Sequence, residues 1–156
     1  MQPMAIRRLG AGDEAMLVRL NALFAVAFED PDLLGDGPPD PAYLAGLLGL
    51  PHMHVLVAMD NATLLGGLVA YELPKIERSR SEFYLYDLAV AEPYRRRGVA
   101  RALIERLREM ARRSGAAALY VQADFGDDPA VALYSRFGAP QPVMHFDLEL
   151  EDDAKV

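Results

Sequence analysis

Cysteine is absent from this chain of 156 residues, which excludes a disulfide framework, a thiolate metal site and a cysteine acyl-enzyme. Histidine is scarce. His52, His54 and His145 stand at no metal-ligand spacing with carboxylates, so they read as structural or surface residues and no metal is expected. No apolar run approaches the roughly 20 residues of a membrane span, and residues 1–8 lack the apolar core of a secretory signal. A cytoplasmic protein with no membrane partner is therefore expected. Positive charge is the remaining shortage: 16 Lys and Arg face 23 Asp and Glu, for a formal net charge of -7. Such a balance argues against nucleic acid, whose phosphates demand a basic face, and suits a cationic partner.

The chain has an ordinary globular composition, with 52% hydrophobic and 25% charged residues, and its length suits one domain over residues 1–156. Residues 5–9 read as a short strand. Asp13 then caps a helix whose apolar residues Leu17, Leu20, Phe24 and Phe28 step by three or four until Pro31 stops it. Residues 32–39, dense in Asp, Gly and Pro, read as a loop, and Asp40 with Pro41 begins a second helix through Leu48. Two strands over residues 52–59 and 64–73 flank a turn at Asp60 and Asn61, with a bulge at Gly66 and Gly67. Residues 82–90, rich in Tyr, Leu and Val, form the strongest strand. After Gly98, the residues Val99, Leu103, Ile104, Leu107, Met110 and Ala111 share one face of a helix that Gly115 ends. A strand over residues 118–123, a helix from Asp128 and Pro129 to Arg136, and a last strand over residues 143–150 complete the order. No internal repeat is present. The sequence of elements predicts an α/β fold with a mixed sheet in one layered domain.

The stretch Arg95-Arg96-Arg97-Gly98-Val99-Ala100-Arg101 lies between the strongest strand and the strongest helix. A glycine lets backbone approach a ligand, and the free N–H groups at a helix start point at an anion that the helix dipole favours. Guanidinium groups fit phosphate oxygens, so an acidic protein concentrates positive charge at one turn. The competing reading is a solvated surface corner. Neither the dinucleotide fingerprint nor the P-loop pattern is met.

Arg95, Gly98 and Ala100 fill the pattern Q/R-x-x-G-x-G/A, which resembles the acetyl-CoA pyrophosphate motif of the GNAT N-acetyltransferases. Downstream, Ala130-Val131-Ala132-Leu133-Tyr134-Ser135-Arg136-Phe137-Gly138 is similar to that family's fourth-helix signature. The runs Tyr71-Glu72-Leu73-Pro74-Lys75, Tyr84-Leu85-Tyr86-Asp87-Leu88-Ala89-Val90, residues 120–134 and Val143-Met144-His145-Phe146-Asp147 resemble the aminoglycoside 3-N-acetyltransferases of the gentamicin-resistance type. This likeness is close in the second half and loose in the first. It implies a GNAT fold with mostly antiparallel strands, a central parallel pair and about four helices. It further implies acetyl-CoA as acetyl donor, direct transfer to the 3-amino group of an aminoglycoside in a ternary complex, antibiotic resistance as a role, and a homodimer.

Strand parity puts Asp87 on the face of Phe83, Leu85 and Ala89, a costly place for a carboxylate unless it is used or wetted. In the family context Asp87 is expected to bind the acceptor ammonium and act as general base; a solvated strand-end Asp is the alternative. The resemblance makes Tyr134 the general acid toward the CoA thiolate, against a purely structural helix Tyr. It also assigns the donor site to the backbone at Leu88, Ala89 and Val90 and to Arg95, Arg96, Arg97, Gly98, Val99, Ala100 and Arg101. Asp124, Asp127 and Asp128 would form an anionic wall for a polycation, with Asp128 alternatively a helix cap, and Glu72, Glu29 and Asp30 are weaker acceptor candidates. Acetylation of another polyamine or a protein amine, and a non-catalytic acyl-CoA-binding module, are the competing functions.

Overall fold

Left-handed backbone, which favours glycine, frames the longest helix: Gly98 and Gly115 hold φ of +82° and +74° and bound α3 (Val99–Ser114). The computed structural model describes residues 4–150. It divides into two units, residues 1–122 and 123–156. The first contains β1 (Ala5–Arg8), α1 (Glu14–Ala27), α2 (Pro41–Leu48), β2 (Met53–Asp60), β3 (Thr63–Pro74), β4 (Ser81–Val90), α3 and β5 (Ala118–Val121). The second contains α4 (Asp128–Tyr134).

The five strands lie in the order β1-β2-β3-β4-β5. Every pair is antiparallel except β4 with β5. The fold is thus a mixed α/β sheet with four α-helices among the described residues. On one face Val55, Val57, Met59, Leu64 and Ala89 pack with Leu17, Leu20 and Phe24 of α1 and Leu44 and Leu48 of α2. The intervening strand residues Leu56, Leu68, Ala70, Phe83 and Leu85 are buried on the opposite side, where α3 contributes Leu103 and Leu107. The strand register is tight at the glycines: a Cβ on Gly67 would stand 2.6 Å from Leu20 Cδ1 and 2.7 Å from the Leu56 carbonyl oxygen. A bulge stands just before the expected Gly66-Gly67 pair: Ala58 is opposite Gly66 and Met59 opposite Leu64, so Leu65 is the extra residue.

Four local expectations are corrected. Asp13 stands at the start of α1 but does not cap it; its carboxylate accepts from the Gly10 N–H at 2.9 Å and from Arg7 at 2.9 Å. These bonds form locally in the loop and hold its pKa below the usual carboxylate range, the Gly10 bond foremost. The loop over residues 32–39 begins with a 3₁₀ turn, Pro31–Leu34, because Asp30 accepts from the Asp32 N–H and Pro31 presets φ. The cap of α4 is Asp127, which accepts from the Ala130 N–H, and the helix ends at Tyr134 instead of Arg136. Residues 143–150 form no strand: the alternation of Met144, Phe146, Leu148 and Leu150 is strand-like, but no backbone of the described residues pairs with it, and these side chains are exposed. Of the acidic tail, residues 151–153 lie outside the described residues.

His54 is a buried polar group on the α3 face. Its ring stacks on Phe83 at 4.9 Å, and Nε2 lies 3.5 Å from a Glu72 carboxylate oxygen, while the other oxygen accepts from the Ser81 hydroxyl at 2.6 Å. Burial, then the Arg8 charge, lowers the His54 pKa against the pull of Glu72. A histidine whose folded pKa lies below the unfolded one, about 6.5, stabilises the fold fully above that value and loses this contribution as pH falls through the folded pKa. The Tm should therefore drop as pH falls below about 6.5, and thermal scans of His54→Gln should lack that step; an unchanged step in the variant contradicts this account.

Candidate functional site

Where β4 ends, the Ala91 N–H donates to the Leu65 carbonyl at 2.9 Å and keeps the chain on β3. Backbone groups alternate sides along a strand, so the N–H groups of Val90 and Leu88 point away from β3 while that of Ala89 points toward it. Arg95 Nε reaches the Val90 carbonyl at 3.1 Å, on that outward side. There β5 pairs with Glu82 to Leu85 of β4 and ends at Val121, so past Leu85 it no longer covers that edge of β4. Of the three residues expected here, Leu88 and Val90 offer donors on that edge, and Ala89 instead buries its methyl group in the α1 and α2 core.

Beyond β4, a 3₁₀ turn over Glu92–Tyr94 delivers the chain to the arginines. Arg96 and Gly98 both hold positive φ, 60° and 82°. Among the described residues no side chain caps α3, and none comes within 4 Å of where a Gly98 Cβ would stand. The first-turn N–H groups of the helix are thus left to an outside acceptor. Arg95, Arg96, Arg97 and Arg101 are exposed, Ala100 is half-buried, and Val99 buries its side chain. Arg97 sits over the Tyr94 ring, 5.8 Å from its centroid. This loop fits a polyphosphate: fixed charge, uncapped donors and room at Gly98 coincide. An open cleft of about 770 Å³ runs between Arg19, Leu23 and Val26 of α1, with Glu29 just beyond it, and Ala91, Glu92, Pro93 and Arg95 of the turn.

Asp87 does not lie on the face of Phe83 and Leu85. Val69 pairs with Asp87 but Ala70 pairs with Leu85, so Tyr86 is an extra residue, a bulge that switches parity. Asp87 consequently shares the α1 and α2 face with Val69 and Ala89, half-buried, and burial pushes its carboxyl pKa up. A carboxylate with a raised pKa holds a proton more readily, which suits a base that takes one from an ammonium group. The same bulge gathers tyrosines that sequence reasoning missed. The Tyr86 ring meets Tyr71 edge-on at 5.7 Å and Tyr84 at 5.4 Å, and Tyr84 stacks on Tyr120 at 4.8 Å. The available signal was the Tyr84-x-Tyr86 pair just before Asp87, which parity alone would have split from that carboxylate.

Glu72 is on the other face, opposite Phe83, with its carboxylate engaged by Ser81 and facing His54. It does not join Asp87. In the second unit Asp124, Asp127 and Asp128 are exposed and cluster at the start of α4, and Tyr134 is half-buried at the end of that helix. Among the described residues no helix is long and apolar enough to cross a membrane.

Comparison with known proteins gives a consistent set of relatives. The model of the Acetyltransferase (GNAT) family matches residues 17–139. The crystal structure of an aminoglycoside acetyltransferase, HMB0005, from an uncultured soil metagenomic sample superposes with a TM-score of 0.92 at 41% identity, over 96% of this chain and 100% of that one. A second, meta-AAC0020, also from an uncultured soil metagenomic sample and in complex with sisomicin, gives 0.88 at 30% identity, over 95% and 97%. The N-alpha-acetyltransferase RimI of Mycobacterium tuberculosis (strain ATCC 25618 / H37Rv) is 31% identical over 122 residues, 78% of this chain and 74% of that protein.

Proposed function

Because the chain belongs to the acetyltransferase (GNAT) family, we propose that it transfers the acetyl group of acetyl-CoA to an amino group of an aminoglycoside, the 3-amino group by likeness. The observation that carries this reading is the near-complete superposition on an aminoglycoside acetyltransferase, which extends through the divergent N-terminal half. The edge of β4 left uncovered past Leu85 and the uncapped α3 support acetyl-CoA as donor. Both units together make one transferase domain in this reading, which the family match across residues 17–139 supports.

Acetyl-CoA supplies an activated acetyl group. The backbone N–H groups from Arg97 to Ala100, with the guanidinium groups of Arg95, Arg96, Arg97 and Arg101, hold the pyrophosphate. The Leu88 and Val90 N–H groups grip the pantetheine and polarise the thioester oxygen; removing one such donor typically costs about 10²–10³ in rate. Asp87 anchors the acceptor ammonium and takes its proton, directly or through a water, so that a neutral amine attacks. Tyr134 gives a proton to the departing sulfur. Asp124, Asp127 and Asp128 draw in a polycation by long-range attraction that salt screens. The donor supports a cytoplasmic setting, the exposed apolar residues Met144, Phe146 and Leu148 support a homodimer, and resistance to the acceptor drug follows from its acetylation.

The likeness to RimI favours a second reading, in which a peptide α-amine is the acceptor. Thiol release from acetyl-CoA with sisomicin, spermidine and a peptide separates them. The proposed function expects release with sisomicin; release with the peptide alone supports the second reading, and tight CoA binding without release on any acceptor supports a binding module.

A further inference from the structure

The tyrosine row beside Asp87 has an exposure that packing does not require. Tyr86 is 60% exposed and Tyr120 39%, although both are large aromatic residues on a sheet face. Tyr84 and Tyr71 are half-buried beneath them, and the Tyr84 hydroxyl donates to Gln122 Oε1 at 2.8 Å, which fixes that ring. The bulge at Tyr86 forfeits regular pairing with β3 and puts two consecutive side chains, Tyr86 and Asp87, on one face. The result is an edge-to-face and stacked series, Tyr71–Tyr86–Tyr84–Tyr120, with a carboxylate next to its most exposed member. Burial, then the Asp87 charge, raises the Tyr71 pKa, and burial, then Tyr86 and Tyr120, raises that of Tyr84, so both phenols stay neutral and able to donate hydrogen bonds at neutral pH.

We propose that this row is the surface on which an aminosugar ring of the acceptor lies, with Tyr86 the residue that sets the fit and Asp87 the counter-charge for the ring's ammonium group. The proposal rests on the aminoglycoside reading above. A sugar ring presents a broad face of C–H groups that packs on an aromatic ring, a contact that a flexible linear chain makes poorly. Asp87 then selects a charged ring over a neutral one. A linear polyamine carries the ammonium groups but no ring, so it uses Asp87 and gains little from Tyr86.

The chain contains seven tyrosines and no tryptophan, so its intrinsic fluorescence is tyrosine emission, and four of its sources lie in this row. Sisomicin added to the full chain should change that emission saturably. Tyr86→Ala should raise both the Kd so measured and the KM for sisomicin roughly tenfold. Its kcat, its KM for acetyl-CoA and its Tm should stay near those of the parent, and Tyr86→Phe should behave as the parent. With spermidine as acceptor, Tyr86→Ala should change KM less than twofold. An unchanged sisomicin KM in Tyr86→Ala, or an equal loss for spermidine, overturns the row as a ring-binding surface while the transferase reading stands. A parent protein inert toward sisomicin but active on another amine overturns the aminoglycoside reading and this surface together, and that outcome is seen before any substitution is made.

Discussion

Asp87→Asn is expected to lower kcat/KM for an aminoglycoside by about 10²–10⁴-fold while raising the Tm at neutral pH. The first effect follows if Asp87 takes the ammonium proton, as proposed above; the amide keeps the shape but cannot accept that proton. The second follows from burial. The folded carboxyl pKa lies above its unfolded value, so the folded state binds this proton more tightly, and stability falls as pH rises through the window between the two values. Above that window the charged, half-buried Asp87 destabilises the fold, and Asn removes the charge. Below the ordinary Asp pKa of about 3.9 the variant and the parent should converge. Activity should show the mirror image: the acidic limb of the kcat/KM profile assigned to Asp87 lies above that value and disappears in the variant. Thermal scans and rate profiles across pH check both parts. A variant that is more stable and equally active would leave Asp87 as a badly placed surface carboxylate with no part in the reaction.

Gly66→Ala is the second large expected effect, and it acts through the donor side. A Cβ there would stand 2.6 Å from the Ala89 carbonyl oxygen and 3.0 Å from Val90 Cα. Both are backbone atoms, so β4 itself must move, at a cost of about 1–3 kcal/mol for overpacking of this kind. In a chain of this length each kcal/mol lowers Tm by about 2–4 °C. The displaced segment carries the Leu88 and Val90 donors, and a shift of about 1 Å in a positioning element can cost 10²-fold in rate. The neighbouring Gly67→Ala is the control. Its Cβ would press on Leu20 and the Leu56 carbonyl, away from β4. Gly67→Ala should therefore lose stability with little change in the KM for acetyl-CoA, whereas Gly66→Ala should lose stability and raise that KM. Equal effects of the two on acetyl-CoA handling would detach the end of β4 from the donor site.

The difference between these glycines was not legible in the sequence, which shows only a Gly-Gly pair inside a strand. What was legible had local causes. The bounds of α3 follow from an apolar period of three and four between two glycines that hold left-handed φ. Asp40 and Pro41 start α2 because an Asx cap and a preset φ need no tertiary partner. The arginine turn ahead of α3, with its left-handed Gly98, was legible for the same reason. The bulge at Tyr86 contains neither glycine nor proline, so period-two counting ran through it and put Asp87 on the wrong face. Residues 143–150 failed in the opposite direction: the alternation is there, but a strand also needs a partner backbone, which composition does not record. That Glu72 faces Ser81 and His54 instead of Asp87 was not legible, because those partners come from two other strands. The donor side was therefore read from one continuous stretch, while the acceptor side depended on register across β2, β3 and β4.

Whether this chain acetylates an aminoglycoside is read most plainly from the product itself. Purified protein incubated with acetyl-CoA and sisomicin should yield one equivalent of CoA and a sisomicin carrying a single acetyl group, which NMR should locate on the 3-amino nitrogen. Unmodified sisomicin, alongside acetylation of a peptide α-amine under the same conditions, would contradict the account and leave a GNAT enzyme whose acceptor is a protein terminus.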